Sequence, residues 1–204
     1  MQSLPALLPG HYYHIYNRGN NRENLFREEK NYAYFLRLYG RHVEPVAQTF
    51  AYCLMPNHFH LLVRIKMPEE QPASSQKDPT RAFANLFNAY AKAFNRMYGR
   101  TGALFEHRFG RIEVDAERYF MQLVRYIHRN PEHHGFVDDF RMYAHSSWQA
   151  LGSHRPTRLA RETVLTWFGG ASNFQAAHHT EPDTGALTTK LDLHFEAAVS
   201  TYPT

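Results

Sequence analysis

Residues 47–66, AQTFAYCLMPNHFHLLVRIK, constrain this chain more than any other stretch. Two apolar runs, 47–54 and 58–66, flank Met55-Pro56-Asn57. Each run is rich in aromatic, β-branched and aliphatic residues and bounded by a turn signal, which reads as two strands of a hairpin. A hairpin pairs its strands antiparallel, so the sheet has to be built around that sense. The other elements fall on either side. HYYHIYNR at 11–18 reads as a strand running into the turn Gly19-Asn20-Asn21. From about Glu28 to Val43, Tyr32, Phe35, Leu36 and Tyr39 recur at helical spacing, and Pro45 ends that helix. After the polar stretch EEQPASSQKDPT, taken as a loop, Thr80 is a candidate cap for a helix over 81–98. Its apolar set is Phe83, Leu86, Phe87, Tyr90 and Phe94. Residues 103–114 read as a strand or bent hairpin arm. Asp115 is a candidate N-cap for a helix from Ala116 to about Asn130, stopped by Pro131. Strand, helix, strand, strand, helix, strand, helix predicts an α+β fold: a two-layer, ferredoxin-like sandwich with a mainly antiparallel sheet and helices on one face. Residues 1–152 carry this pattern as one domain. Residues 153–204 read as an extension, with a short amphipathic stretch at 160–168 and then an irregular tail.

Composition narrows the function. Hydrophobic residues are 43% and charged ones 21% of 204, as in ordinary globular chains. No apolar run approaches the ~18 residues of a membrane span, so no membrane association is expected. The opening MQSLPALLPG lacks a basic region and a long apolar core, so no signal peptide is expected. Cys53 is the only cysteine, which excludes disulfides within the chain and Cys-rich zinc sites and fits a cytoplasmic setting. The net charge is +4, but residues 81–130 alone hold nine Arg/Lys against four acids, whereas residues 169–204 sum to −3. A basic middle interleaved with Phe and Tyr suits a polyanion that also offers rings to stack on. A solvated helix face is the plainer account of the same charges.

Two constellations carry chemistry. In His58-Phe59-His60 the strand alternation projects both imidazoles to one face and Phe59 to the other. A pair so placed can hold one divalent ion and leave positions open for an oxygen ligand and a substrate. Among fourteen histidines, a structural or exposed pair is the competing account. In Tyr126-Ile127-His128-Arg129-Asn130-Pro131, Tyr126 and Asn130 lie one helical turn apart on one face. The plain account makes Tyr126 a core aromatic, and Tyr119 shares its face.

Taken together, YCLMPNHFHLLV and, about 70 residues on, RYIHRNPEHHGFV resemble the single-tyrosine HUH transposases, most closely the REP-associated tyrosine transposases. YHIYNRGNNRENLF, GALFEHRFGRIEVD and YAHSSWQALG add to the resemblance, which spans roughly residues 11–152. It implies a ferredoxin-like fold with the histidines on a central strand and the tyrosine on a helix beside it. His58 and His60 would then be metal ligands, Asn130 the third ligand and Tyr126 the nucleophile. The activity implied is a metal-dependent endonuclease and strand transferase, using Mg²⁺ or Mn²⁺ on single-stranded or hairpin DNA. The phenol would attack phosphorus to leave a 5′-phosphotyrosine and a 3′-hydroxyl. A neutral amide as third ligand predicts labile metal binding. Arg18, Arg108, Arg111, Arg125 and Arg129 are candidate phosphate contacts, Phe105 and Phe109 candidate stacking residues, and Asn17 and Asn20 further candidates near the first turn. His133 and His134 suggest a second metal site only weakly, since the family pattern uses neither. The family includes monomers and helix-exchanging homodimers, which leaves the oligomeric state open. Two other readings stand beside the transferase: a nucleic-acid-binding module that no longer cleaves, and a metallohydrolase using water on the histidine pair.

Overall fold

The computed structural model describes residues 6–72, 78–106, 108–114 and 117–180. Four strands, β1 (Tyr12–Arg18), β2 (Ala47–Met55), β3 (His58–Ile65) and β4 (Gly110–Val114), form one sheet in the order β2-β3-β1-β4. Every neighbouring pair is antiparallel. Helix α1 (Glu29–His42) links β1 to β2, and α2 (Pro79–Tyr98) links β3 to β4. This is the βαββαβ arrangement expected of a ferredoxin-like chain.

Both faces of the sheet are apolar, so helices cover both. Tyr13, Ile15, Phe59, Leu61, Val63 and Ile65 point to one side and bury against Phe35 of α1 and Phe83, Leu86 and Phe87 of α2. Phe50, Ala51, Cys53, Met55 and Leu62 point to the other side, where α3 (Glu117–His133) brings Phe120, Leu123, Val124, Tyr126 and Ile127. The expected single helical layer therefore holds for α1 and α2 alone. The alternation of β2 and β3 leaves a second apolar face, and α3 covers it.

The helix ends differ from their expected positions for local reasons. At α2 the cap is Asp78, whose carboxylate accepts from the Thr80 N–H at 2.8 Å, with Pro79 in the first turn where no N–H is needed. Helix α3 does not stop at Pro131 but runs on to His133. Pro131 has no N–H to give the Ile127 carbonyl, so one bond of the helix is lost there, but the ladder resumes beyond it, with the His134 N–H donating to the Asn130 carbonyl at 3.0 Å. Its expected cap, Asp115, lies outside the described residues. Ahead of β4, the described residues 103–106, 108 and 109 form no strand beyond an isolated bridge between Gly19 and Phe105.

After α3 the chain returns to β2. Leu54 N–H donates to the His145 carbonyl, Ser147 N–H to the Tyr52 carbonyl and Ala160 N–H to the Thr49 carbonyl, each at 2.9 Å. These bonds occupy the outer edge of β2, which would otherwise offer itself to another strand. Beyond α4 (Trp148–Leu151), α5 (Arg161–Trp167) falls on the amphipathic stretch. Helix α6 (Ala171–His178) forms where an irregular tail was expected, with Phe174 and His178 buried. A relay of polar atoms fastens it to α3. His178 Nδ1 donates to the Phe174 carbonyl at 2.7 Å, His128 Nδ1 lies 2.9 Å from His178 Nε2, and His128 Nε2 lies 2.7 Å from the Ser147 oxygen, whose hydroxyl donates to the Tyr52 carbonyl at 3.2 Å. Burial holds both imidazoles neutral, taking the His178 pKa to about 4 and that of His128 well below the ordinary histidine range.

Candidate metal and tyrosine site

The site lies on the sheet face that α3 covers. Pairing sets Arg18 opposite His58 and Tyr16 opposite His60. His58 and His60 share this face with ring centroids 5.3 Å apart at 89°, while Phe59 is fully buried on the other side. Burial pushes the His58 pKa down to about 3, helped by His134 and Arg18 and opposed by the Asn130 side chain. Burial, then His14, His58 and His134, hold His60 well below the ordinary histidine range. Both rings are therefore neutral, the form that binds a metal ion.

Neighbours select the nitrogens. His58 Nδ1 donates to Asn57 Oδ1 at 2.7 Å, so its proton sits there and Nε2 is the nitrogen suited to coordination. His60 Nδ1 lies 2.9 Å from Nε2 of His14, a buried residue of β1 whose ring stacks on it at 5.0 Å and 16°. Burial lowers the His14 pKa to about 3. When His60 donates from Nδ1 to this neutral neighbour, His60 Nε2 becomes its coordinating atom.

On α3, Asn130 Nδ2 donates to the Tyr126 carbonyl at 3.0 Å, one turn back. Its Oδ1 is buried with no hydrogen bond of normal geometry, although the amide lies close enough to act on His58. Among the described residues no three His, Cys, Asp or Glu side chains converge on a metal position. The Asn130 amide oxygen is the side-chain oxygen on α3 that could join the two imidazoles in holding a cation, and a buried oxygen acceptor beside neutral imidazoles fits a divalent ion. The Tyr126 ring stands 5.7 Å from His60 at 77° and 6.4 Å from His14 at 88°, and is only 6% exposed.

Tyr16 joins this group, and strand pairing rather than any motif reveals it. Its ring lies 6.2 Å from His60, and burial followed by the nearby Tyr126 pushes its pKa up to about 12. Glycine at 110 makes room, because a Cβ there would stand 2.1 Å from the Tyr16 ring. Tyr119 is half-buried at the border of the second core cluster, the plain role that competes with a catalytic one.

The five candidate arginines separate. Arg18 reaches the site; it pairs with Glu106 at 2.9 Å and its charge acts on His58. Arg108, at φ +65, lines a groove between α2 and the loop before β4 together with Phe105 and Phe109. Phe109 is buried in the first core and Phe105 packs against it. Arg111 lies on the face away from the histidines, bonded to Thr80 Oγ1 at 3.0 Å and stacked 4.8 Å from the Phe109 ring. Arg125 donates to the Thr180 carbonyl at 2.7 Å, and Arg129 to the His178 carbonyl at 3.1 Å, so both hold the end of α6. Asn17 is buried, its Oδ1 accepting from the Arg18 N–H, and Asn20 lies in a short 3₁₀ turn. His134 approaches the site from the end of α3, its ring 4.7 Å from that of His58.

A ferredoxin-like sheet with a histidine pair under a tyrosine-bearing helix defines a class of α+β protein. Residues 8–130 match the family model described as "Transposase IS200 like", and the chain belongs to that family. No curated protein gives a match. Among solved structures, a REP-associated tyrosine transposase bound to a REP hairpin superposes with a TM-score of 0.57 at 14% identity. The superposition covers 74% of this chain and 84% of that one, and it shows a common fold. Among the described residues no helix is long and apolar enough to cross a membrane.

Proposed function

We propose that this chain is an HUH-type, metal-dependent endonuclease and strand transferase acting on single-stranded, hairpin-bearing DNA. One observation carries the reading: Tyr126, one helical turn from Asn130, stands 5.7 Å from His60 within the same chain. The groups the chemistry calls for would then come from one chain. His58, His60 and Asn130 would hold Mg²⁺ or Mn²⁺, which would supply Lewis-acid stabilisation of charge on the scissile phosphate. The chain's own residues do the rest. The Tyr126 oxygen attacks phosphorus; the Tyr–P bond forms as the bond to the 3′-oxygen breaks. The phenol proton is lost to solvent and the 3′-oxygen gains one, leaving a 5′-phosphotyrosine and a 3′-hydroxyl. A 3′-hydroxyl can reverse the step, because the ester conserves the phosphodiester bond energy. Arg18 is the arginine best placed for a neighbouring phosphate, with Arg108 next; Arg111, Arg125 and Arg129 would act through their packing or as outer contacts.

The test is to incubate the protein with a hairpin oligonucleotide bearing single-stranded flanks and Mn²⁺, denature it, and map any protein–DNA adduct by mass spectrometry. Adduct on Tyr126 is expected. Cleavage without adduct would favour a water nucleophile, and binding without cleavage a retired binding module; either result overturns the reading.

His14 supplies a second test that needs no turnover. Removing the ring that orients His60 should weaken Mn²⁺ binding by about 10- to 100-fold, the usual effect of losing such a partner. His14→Leu measured by electron paramagnetic resonance of unbound Mn²⁺ reads this directly, and His14→Gln, which keeps an acceptor, should recover part of the loss. Equal affinity in all three proteins would reduce the His14–His60 contact to packing.

A further inference from the structure

The turn that ends α3 sets two exposed rings at the mouth of the histidine site. Gly135 adopts φ +68, and its N–H donates to the Glu132 carbonyl at 3.0 Å while the Phe136 N–H donates to the Pro131 carbonyl at 2.8 Å. These are the two bonds of a Schellman cap, which holds the residues just past a helix in one backbone conformation. Two side chains are presented from it. The exposed His134 ring meets His58 at 4.7 Å and 76°. The Phe136 ring lies 6.4 Å from His58 and 6.4 Å from His134, and is 38% exposed. The mechanism above uses neither ring, and both lie beyond the family match, which ends at residue 130.

A single exposed phenylalanine is unremarkable on a protein surface. Three things set this one apart: a second exposed ring beside it, a rigid backbone beneath it, and contact with a buried imidazole of the candidate metal site. Arg18 adds a positive charge next to the same imidazole. Aromatic faces next to a cation are the elements by which proteins hold single-stranded nucleic acid, one ring per base. A base in a duplex has both faces already covered, so such a shelf is open only to a strand that is single there.

We propose that His134 and Phe136 form a stacking shelf for one single-stranded base adjoining the scissile phosphate. The proposal rests on the DNA-cleavage reading and deepens it by giving that site a nucleobase subsite. Because the cap is formed before DNA arrives, binding orders little backbone, and the shelf fixes the sugar-phosphate register relative to Tyr126.

The experiment uses Tyr126→Phe protein, so that binding is read without cleavage, and hairpin oligonucleotides with 2-aminopurine at successive flank positions. Quenching confined to one position next to the cleavage site is expected. Phe136→Ala and Phe136→Leu should abolish that quenching and weaken binding about five- to a hundredfold, the range for losing one stacked base. Phe136→Trp, which keeps a π face, should retain both. His134→Ala should give a smaller loss, restored by His134→Phe. If the parent protein binds the strand and Phe136→Ala binds equally with unchanged quenching, the shelf is wrong while the cleavage reading stands. If the parent protein binds no single strand at all, both fall together.

Discussion

Tyr126→Phe is expected to abolish DNA cleavage and covalent linkage together, by about a thousandfold or more, the scale seen when a covalent nucleophile is removed. The variant deletes one oxygen and keeps the ring that packs against His60 and His14, so the fold and the metal donors should be retained. His58→Ala and Asn130→Ala should act differently, raising the metal concentration needed for activity, with the histidine change the more severe because a neutral amide is the weaker ligand. Tyr119→Phe is the control on the same helix; its ring borders the second core cluster, and the variant should keep activity. Adduct formation by the Tyr126 variant, with loss of it in the Tyr119 variant, would show that the nucleophile lies two turns upstream. Adduct in both would end the single-tyrosine mechanism.

Mild acid in metal-free buffer should unfold the protein. Five imidazoles are buried and held neutral: burial takes His14 and His58 to about 3, His178 to about 4, and His60 and His128 well below the ordinary value. Above about pH 6.5 neither the folded nor the unfolded chain protonates these groups, and they add no pH dependence. Below it the unfolded chain takes up protons that the folded chain refuses, so stability falls as pH falls. At pH 5 that amounts to roughly 2 kcal/mol for each group and on the order of 10 kcal/mol for the five. The total stability of a domain is about 5–15 kcal/mol. Urea midpoints measured with chelator from pH 7.5 down to 5 should therefore drop steeply below pH 6.5. A flat profile would mean that these histidines take up protons in the folded state, and the neutral relay through Ser147, His128 and His178 would be wrong.

Several of these features were legible in the sequence because they depend only on the repeat of the local backbone. Strand alternation puts His58 and His60 together and Phe59 opposite; the helical repeat puts Tyr126 and Asn130 one turn apart; the hairpin at 47–66 commits the sheet to antiparallel pairing. The near-neighbour motifs were also enough to point to the transposase family. What tertiary structure alone decided lies between segments distant in sequence. Strand register brings His14 and Tyr16 of β1 beside His60, and no local pattern in HYYHIYNR marks them. The second apolar face of β2 and β3 draws α3 across the sheet, which is what carries Tyr126 to the histidines. The docking of α6 engages Arg125 and Arg129, which as sequence are indistinguishable from surface cations. His134 and Phe136 look like an ordinary helix exit until the cap and the position of β3 place their rings against His58. The physical reason is common to all four: periodicity fixes which way a side chain leaves its own element, but its neighbours follow from burying two apolar faces at once, a condition set by the whole chain.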